Sequence, residues 1–199
     1  MWKTLTLDEL CSKITDGSHN PPKGIEYSEH PMLSSKNVFD DKITYYKPRY
    51  LSEDDFIQEN KRTHIQLGDV LLTIVGTIGR CAVVESIEPP FTLQRSVAVL
   101  KPKRDNVYPR FLMYSLRNMI YELTSGARGV AQKGIYLKSL KKLSIPLPPL
   151  AEQKRIVARL DAAVAEIDKA IELTQMREAS LVSLKSSLLF SHLQENDAQ

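Results

Sequence analysis

Apolar and polar positions divide this chain into segments of different period. Residues 69–75 form a β-branched, apolar run that predicts a buried strand. Gly76-Thr77-Ile78-Gly79 interrupts the run and residues 80–85 resume it, which predicts a strand–turn–strand hairpin. Residues 92–100 alternate well enough for one further strand, closed by Lys101-Pro102. From 106 to 123 the period becomes helical. Phe111, Leu112, Met119, Ile120 and Leu123 mark one apolar side, with Asn106 in the cap region, Pro109 early and Gly126 as the stop. Residues 16–24 are dense in turn formers and predict a loop.

Prolines 146, 148 and 149 lack backbone donors and fix φ, so they separate a folded body from the C-terminal segment, and Pro149 suits a first helical turn. Beyond residue 150 neither glycine nor proline occurs. Val157, Leu160, Val164, Ile167, Ile171 and Thr174 keep a 3-4 spacing, extended by Leu181 and Leu188. Glu178 and Lys185 fall on the other phase of that seam, and Leu184 suggests a shift of register. A helix of about 40 residues spans on the order of 60 Å, far longer than a small domain needs. Its apolar stripe requires a partner, another helix of this chain or a second copy, and with no second long helix evident a second chain is favoured. The expected architecture is α+β: a mixed α/β globular body over 1–147, then one long C-terminal coiled-coil helix over 148–199.

Composition changes this picture little. The 42% hydrophobic and 26% charged content is ordinary for a soluble globular protein. No apolar run reaches membrane-span length, and the N-terminus lacks the apolar core of a signal peptide. Cys11 and Cys81 are too few for a disulfide framework, so a cytoplasmic setting is expected. The four histidines have no partners at ligand spacing, which predicts no metal site. Charge, however, is uneven. Residues 101–142 hold ten bases against two acids, while residues 1–100 hold fourteen acids against eleven bases. A locally basic surface on a near-neutral chain points to nucleic acid, or simply to solvated lysines.

Asn20-Pro21-Pro22-Lys23 resembles the motif with which adenine-N6 methyltransferases stack an aromatic ring on a flipped base, but Lys23 has no ring. A rigid turn with Lys23 near phosphate is the better reading. Gly76-Thr-Ile-Gly79 has strand-like flanks, unlike the helix-flanked loop of single-strand-binding KH domains, so a tight turn that projects Arg80 is expected. In the loop 125–134, glycines permit close backbone approach while Arg128 and Gln132 carry fork-shaped donors for base edges, with Lys133 beside them. Lys101, Lys103 and Arg104 suit phosphates. Ser18, His19, Lys36, Thr77 and Arg95 complete the candidate DNA-contact set.

Three segments resemble one family. Leu7-Asp-Glu-Leu10 with Ile14-Thr-Asp16-Gly17-Ser18-His19 looks like the start of a target recognition domain of type I restriction–modification specificity subunits. Residues 67–80 are similar to that family's glycine-rich strand segment. Residues 132–153, ending Pro-Leu-Pro-Pro-Leu-Ala-Glu-Gln, resemble the junction to its spacer helix. Order and spacing together make the resemblance specific.

The resemblance implies a non-catalytic subunit that reads double-stranded DNA, binds no cofactor of its own, and works with adenine methyltransferase subunits and a motor–nuclease subunit. Full-length family members carry two recognition domains and two spacer helices, whereas this sequence has one of each. A half-subunit is therefore implied, acting as a homodimer or partnered with a second half; the homodimer would read two identical half-sites as a gapped palindrome. Its dimerisation residues are Val157, Leu160, Val164, Ile167, Ile171, Leu181 and Leu188. A coiled-coil scaffold, a silent or truncated cassette, and a solitary methyltransferase are the competing readings.

Overall fold

A computed structural model of the chain describes residues 2–126 and 134–196. In order, its elements are β1 (Lys3–Thr6), α1 (Leu7–Leu10), β2 (Cys11–Asp16), β3 (Pro31–Leu33), β4 (Val38–Phe39), β5 (Lys42–Ile43), β6 (Arg49–Tyr50), α2 (Glu53–Thr63), β7 (Val70–Thr73), β8 (Cys81–Val83), β9 (Thr92–Leu93), β10 (Val97–Pro102), α3 (Pro109–Gly126), α4 (Leu137–Lys141), β11 (Ser144–Leu147) and α5 (Leu150–Asn196). The class is α+β, as expected. Two compact units result, 1–155 and 156–199.

In the first unit an antiparallel sheet runs β2-β10-β7-β8. Its interior strands are covered on both faces, which is why β7 reads as an unbroken apolar run with all four residues buried. Leu71, Val97 and Val99 join Leu33, Val38, Ala82, Val84, Phe91 and Leu93 in one core cluster. A second sheet, β6-β3-β9, pairs β3 and β9 in parallel. Two segments distant in sequence meet where β1 pairs antiparallel with β11, Lys3 opposite Leu147 and Thr6 opposite Ser144. Pro146 thus lies within a strand; a two-stranded pairing leaves an edge where its missing donor is tolerated.

The expected hairpin is present as β7 and β8, with Leu72 opposite Cys81. Its turn is locked by the Thr73 hydroxyl, which donates to the Thr77 carbonyl and accepts from Arg80 N–H. Gly79 sits at φ +98°, and a Cβ there would meet Ile120 Cγ2 at 2.7 Å, so both backbone and packing require glycine.

Residues 92–100 depart from the single strand expected. They split into β9 and β10, which belong to different sheets, because a turn closes between Val97 N–H and the Gln94 carbonyl at 3.1 Å. Arg95 projects from that corner. Pro109 opens α3 and Asn106 lies outside it. Pro149 precedes α5 and its carbonyl accepts from Glu152 and Gln153 N–H. The compact body runs past the prolines to residue 155. The second unit consists of the remainder of α5.

A candidate nucleic-acid interface

One end of the four-stranded sheet gathers the end of β2, the 74–80 turn and the 94–96 corner. Two close approaches hold them together. Gly17 lies so tightly on β9 that a Cβ would stand 2.1 Å from the Leu93 carbonyl oxygen. Beyond it, Ser18 and Gln94 form a parallel bridge, and Arg95 N–H donates to the Ser18 carbonyl at 2.9 Å. Ser35 N–H donates to Ser96 Oγ at 3.0 Å, and Thr77 Oγ1 to the Ser35 carbonyl at 3.4 Å, so Lys36 is drawn to the same corner.

A cleft of about 350 Å³ opens at this end, lined in part by Asp16, His19, Arg62, Arg95, Gly134 and Tyr136. Arg62 reaches it from the last turn of α2. That helix starts at Ser52, whose hydroxyl accepts Asp55 N–H at 3.2 Å, and it carries Glu53, Asp54 and Asp55 in its first turn and Lys61 and Arg62 in its last. Both ends therefore complement the helix dipole. His64 closes it in a left-handed conformation at φ 43°.

Asp16 organises the cleft. Its side chain is 8% exposed, and each carboxylate oxygen takes a cationic or hydrogen-bonding partner. Arg62 Nη2 donates to Oδ1 at 2.5 Å, with Arg62 Nε donating to the Asp16 main-chain carbonyl at 2.9 Å. His19 Nε2 donates to Oδ2 at 2.8 Å. Arg62 itself remains 46% exposed and His19 53%. With Asp16 offset by Arg62, Arg95 leaves the cleft positive. Tyr136, 77% exposed, stands among its lining residues.

The sequence candidates divide between opposite ends of the sheet. Ser18, His19, Lys36, Thr77, Arg80 and Arg95 come together at the cleft end. Ser18 is itself buried, and Arg80 lies over the Phe39 ring at 4.8 Å. Lys23 is exposed in the 17–24 loop, which Arg49 Nη1 holds by donating to the Pro22 carbonyl at 2.6 Å. Lys101, Lys103 and Arg104 lie at the other end of β10, about 20 Å away for six extended residues.

Lys101 is a correction. Its ammonium donates to Asp69 Oδ2 at 2.5 Å and to the His64 carbonyl at 2.8 Å, inside the body rather than toward phosphate. Lys103 Nζ donates to the Glu9 carbonyl at 2.8 Å. Arg104 lies over Gly68, where a Cβ would meet its guanidinium carbon at 2.8 Å. Arg128, Gln132 and Lys133 lie outside the described residues. Nothing local in the sequence marks Arg62, Asp16 or Tyr136 for the cleft; Arg62 looks like an ordinary cation on a helix, and its partner lies 46 positions away.

In the second unit, Leu160, Val164, Ile167, Ile171, Leu181 and Leu188 are all exposed, Ile167 at 58% and Leu181 at 66%. Val157 is the exception at 2%, already buried within the chain, so it is withdrawn from the dimerisation set. Among the described residues no helix is long and apolar enough to cross a membrane, and no group of three or more His, Cys, Asp or Glu is placed to hold a metal ion. Burial pushes the Cys11 thiol up to about 12, away from nucleophile chemistry.

Comparison with known proteins bears on the family and the fold. The chain is 28% identical over 182 residues to the EcoBI specificity subunit of a type I restriction enzyme from Escherichia coli, covering 90% of this chain and 37% of that protein. A chain solved in work on complex assembly and conformational transition of the type I R-M system superposes with a TM-score of 0.69 at 27% identity, covering 92% of this chain and 43% of the other. The HsdS subunit from Thermoanaerobacter tengcongensis shares the fold, with a TM-score of 0.57 at 24% identity over 84% of this chain and 38% of that one. The chain thus spans less than half the length of these relatives. The model of the type I restriction modification DNA specificity domain matches residues 1–176, and with that span of shared sequence over a common fold the chain belongs to this family.

Proposed function

We propose that this chain is the non-catalytic recognition part of a type I restriction–modification assembly, reading double-stranded DNA through the cleft end of its first unit. The observation that carries this reading is the positive cleft at the sheet end, where Arg62, Arg95 and His19 converge with Lys36 and Thr77 beside them. Cations fixed in this way on a concave surface serve backbone positioning and base readout together. The methyl donor, ATP and chemistry belong to partners, namely adenine methyltransferase subunits and a motor–nuclease subunit.

A second copy completes the unit through α5. The exposed seam from Leu160 to Leu188 needs an apolar partner, and its own sequence offers one. In a parallel, in-register pair Glu178 would face Glu178 and Lys185 would face Lys185. Antiparallel pairing avoids both like-charge layers and sets two identical readers apart along DNA. Twofold symmetry then dictates a gapped palindrome whose gap follows from the length of the paired helices.

The test is a genome-wide map of adenine methylation in cells that express this chain with its neighbouring methyltransferase subunit. A new gapped palindromic motif, absent without the chain, is expected. An asymmetric motif would overturn the homodimer. No motif from an assembled complex would favour a scaffold or silent cassette.

A further inference from the structure

We infer that Arg62 is a guanine-reading residue, held in its reading pose by Asp16; the inference rests on the proposed DNA-binding role of the cleft. Arginine reads guanine by presenting two parallel N–H donors to O6 and N7 in the major groove. A free arginine loses side-chain entropy when it is fixed for this task, whereas one already immobilised does not.

The hydrogen bonds that Arg62 donates to Asp16 run along one edge of its guanidinium. Its Nε donates to the Asp16 main-chain carbonyl at 2.9 Å and its Nη2 to Asp16 Oδ1 at 2.5 Å. These two bonds occupy the side edge of the guanidinium, the Nε–Nη2 pair. The end edge, with one N–H on each Nη, points away from that carboxylate, and it is the edge that fits guanine end-on. Lys13 Nζ donates to the Arg62 carbonyl at 2.6 Å, so the backbone that carries the fork is also tied to β2.

Asp16 is nearly buried and sits on β2, whose partner β10 crosses the middle of the main sheet. The fork is thereby anchored to the end of a sheet strand rather than to a loop. His19 takes the second carboxylate oxygen at 2.8 Å, which keeps Asp16 from swinging away. Its Nε2 lies 3.3 Å from Arg62 Nη2, within hydrogen-bond distance of the reading edge, but carrying the proton it gives to Asp16 that nitrogen cannot also accept from Arg62. A carboxylate alone in such a cleft would repel DNA; paired to Arg62 it instead orients a donor. An oriented fork also suits a phosphate, and what separates the two roles is whether its loss is felt at one base or at all of them.

The test is selection of bound duplexes from a library with random bases, using the full chain, Arg62→Lys and Asp16→Asn. Thermal melts of both variants confirm that they fold. Lysine keeps the charge but loses the fork, so Arg62→Lys should lower guanine preference about tenfold to a hundredfold in one column of each half-site while leaving other columns intact. Asp16→Asn should degrade the same column, since it frees the fork without removing it. An unchanged motif with Arg62→Lys, or affinity lost evenly at every position, overturns the inference and leaves DNA recognition standing. An unaltered column with Asp16→Asn removes the buttress. No motif with the unmodified chain overturns the DNA-reading role itself, and this inference with it.

Discussion

Gln153 accepts the backbone N–H of Tyr108 on Oε1 at 2.8 Å, tying the start of α5 to the residue that precedes α3. Its Nε2 donates to the carbonyls of Asn106 and Pro148 at 2.8 and 2.9 Å, and the side chain is fully buried. One amide thus satisfies three main-chain groups of two loops about 40 positions apart. Its neighbour Glu152 faces outward and takes Arg155 Nε at 2.7 Å. The Glu-Gln pair after the prolines divides its roles, the glutamine structural and the glutamate a surface partner.

Replacing Gln153 by alanine strands an N–H and two carbonyls in a dry setting. The cost should be about 2–4 kcal/mol, since buried polar groups left unpaired cost about 1–3 kcal/mol each and solvent relieves some of them. Urea unfolding of the full chain measures it, as a lower midpoint at unchanged slope. A loss below about 1 kcal/mol would mean that the hydrogen bonds are replaced by water.

Asp69 contributes a pH dependence to the body. Burial pushes its carboxyl above the ordinary value, outweighing the opposing pull of Lys101 and of the Gln66 N–H. A carboxyl that holds its proton more tightly folded than unfolded favours folding most below its unfolded pKa. That contribution is lost as pH rises through the folded value. Asp69→Asn should therefore remove one increment of acid-side stabilisation and flatten the stability profile from the ordinary carboxylate range upward. Lys101→Met, which leaves the carboxylate buried without its cation, should cost about 3–5 kcal/mol at neutral pH. Denaturation midpoints across pH settle both, and an unaltered profile in Asp69→Asn would exclude the assignment.

The local signals in the sequence were legible because local chemistry decides them. The β7–β8 turn needed Gly79, the buried run of β7 needed cover on two faces, and the proline-free tail could only be helix. Long-range charge was not legible. The basic stretch 101–142 looked like a surface for DNA, yet Lys101 is spent on Asp69, Arg110 on Asp41 and Glu85, Arg117 on Asp40, and Lys141 on Asp8. The acid surplus of residues 1–100 is the other half of the same pairing. Lysine and arginine runs announce charge, but only tertiary structure says where the counter-charges stand. Arg62 shows the converse, a cation in an acid-rich helix whose position becomes meaningful only once Gly17 brings β2 against β9.

Self-association should separate cleanly from folding along α5. Replacing Ile167 and Ile171 together by aspartate puts four charges into a paired seam and should give a monomer by sedimentation, with the melting of the first unit unchanged. Val157→Ala should do the opposite, lowering stability by about 1–2 kcal/mol through lost burial while leaving association intact. A cysteine at Leu188 reports direction, because the native thiols of Cys11 and Cys81 are buried. It should not cross-link to its own copy in an antiparallel pair, whereas rapid disulfide formation would mean parallel pairing.

The two ends of the main sheet should differ sharply in their contribution to DNA affinity. Arg95 and Lys36 stand at the cleft end, where no ion pair among the described residues engages their charges. Lys103 stands at the far end with its ammonium on the Glu9 carbonyl. Each phosphate contact releases about one counterion, so removing a contacting cation lowers the slope of log affinity against log salt by about 1. Arg95→Ala and Lys36→Ala should each show that reduced slope, with affinity falling on all sequences at low salt. Lys103→Ala should keep both slope and affinity, because its charge already serves the protein and lies the length of β10 from the cleft. Titration of a mixed-sequence duplex at several salt concentrations decides the matter. A reduced slope in Lys103→Ala with normal slopes in the other two would place the DNA at the opposite end of the sheet and remove the cleft from the interface.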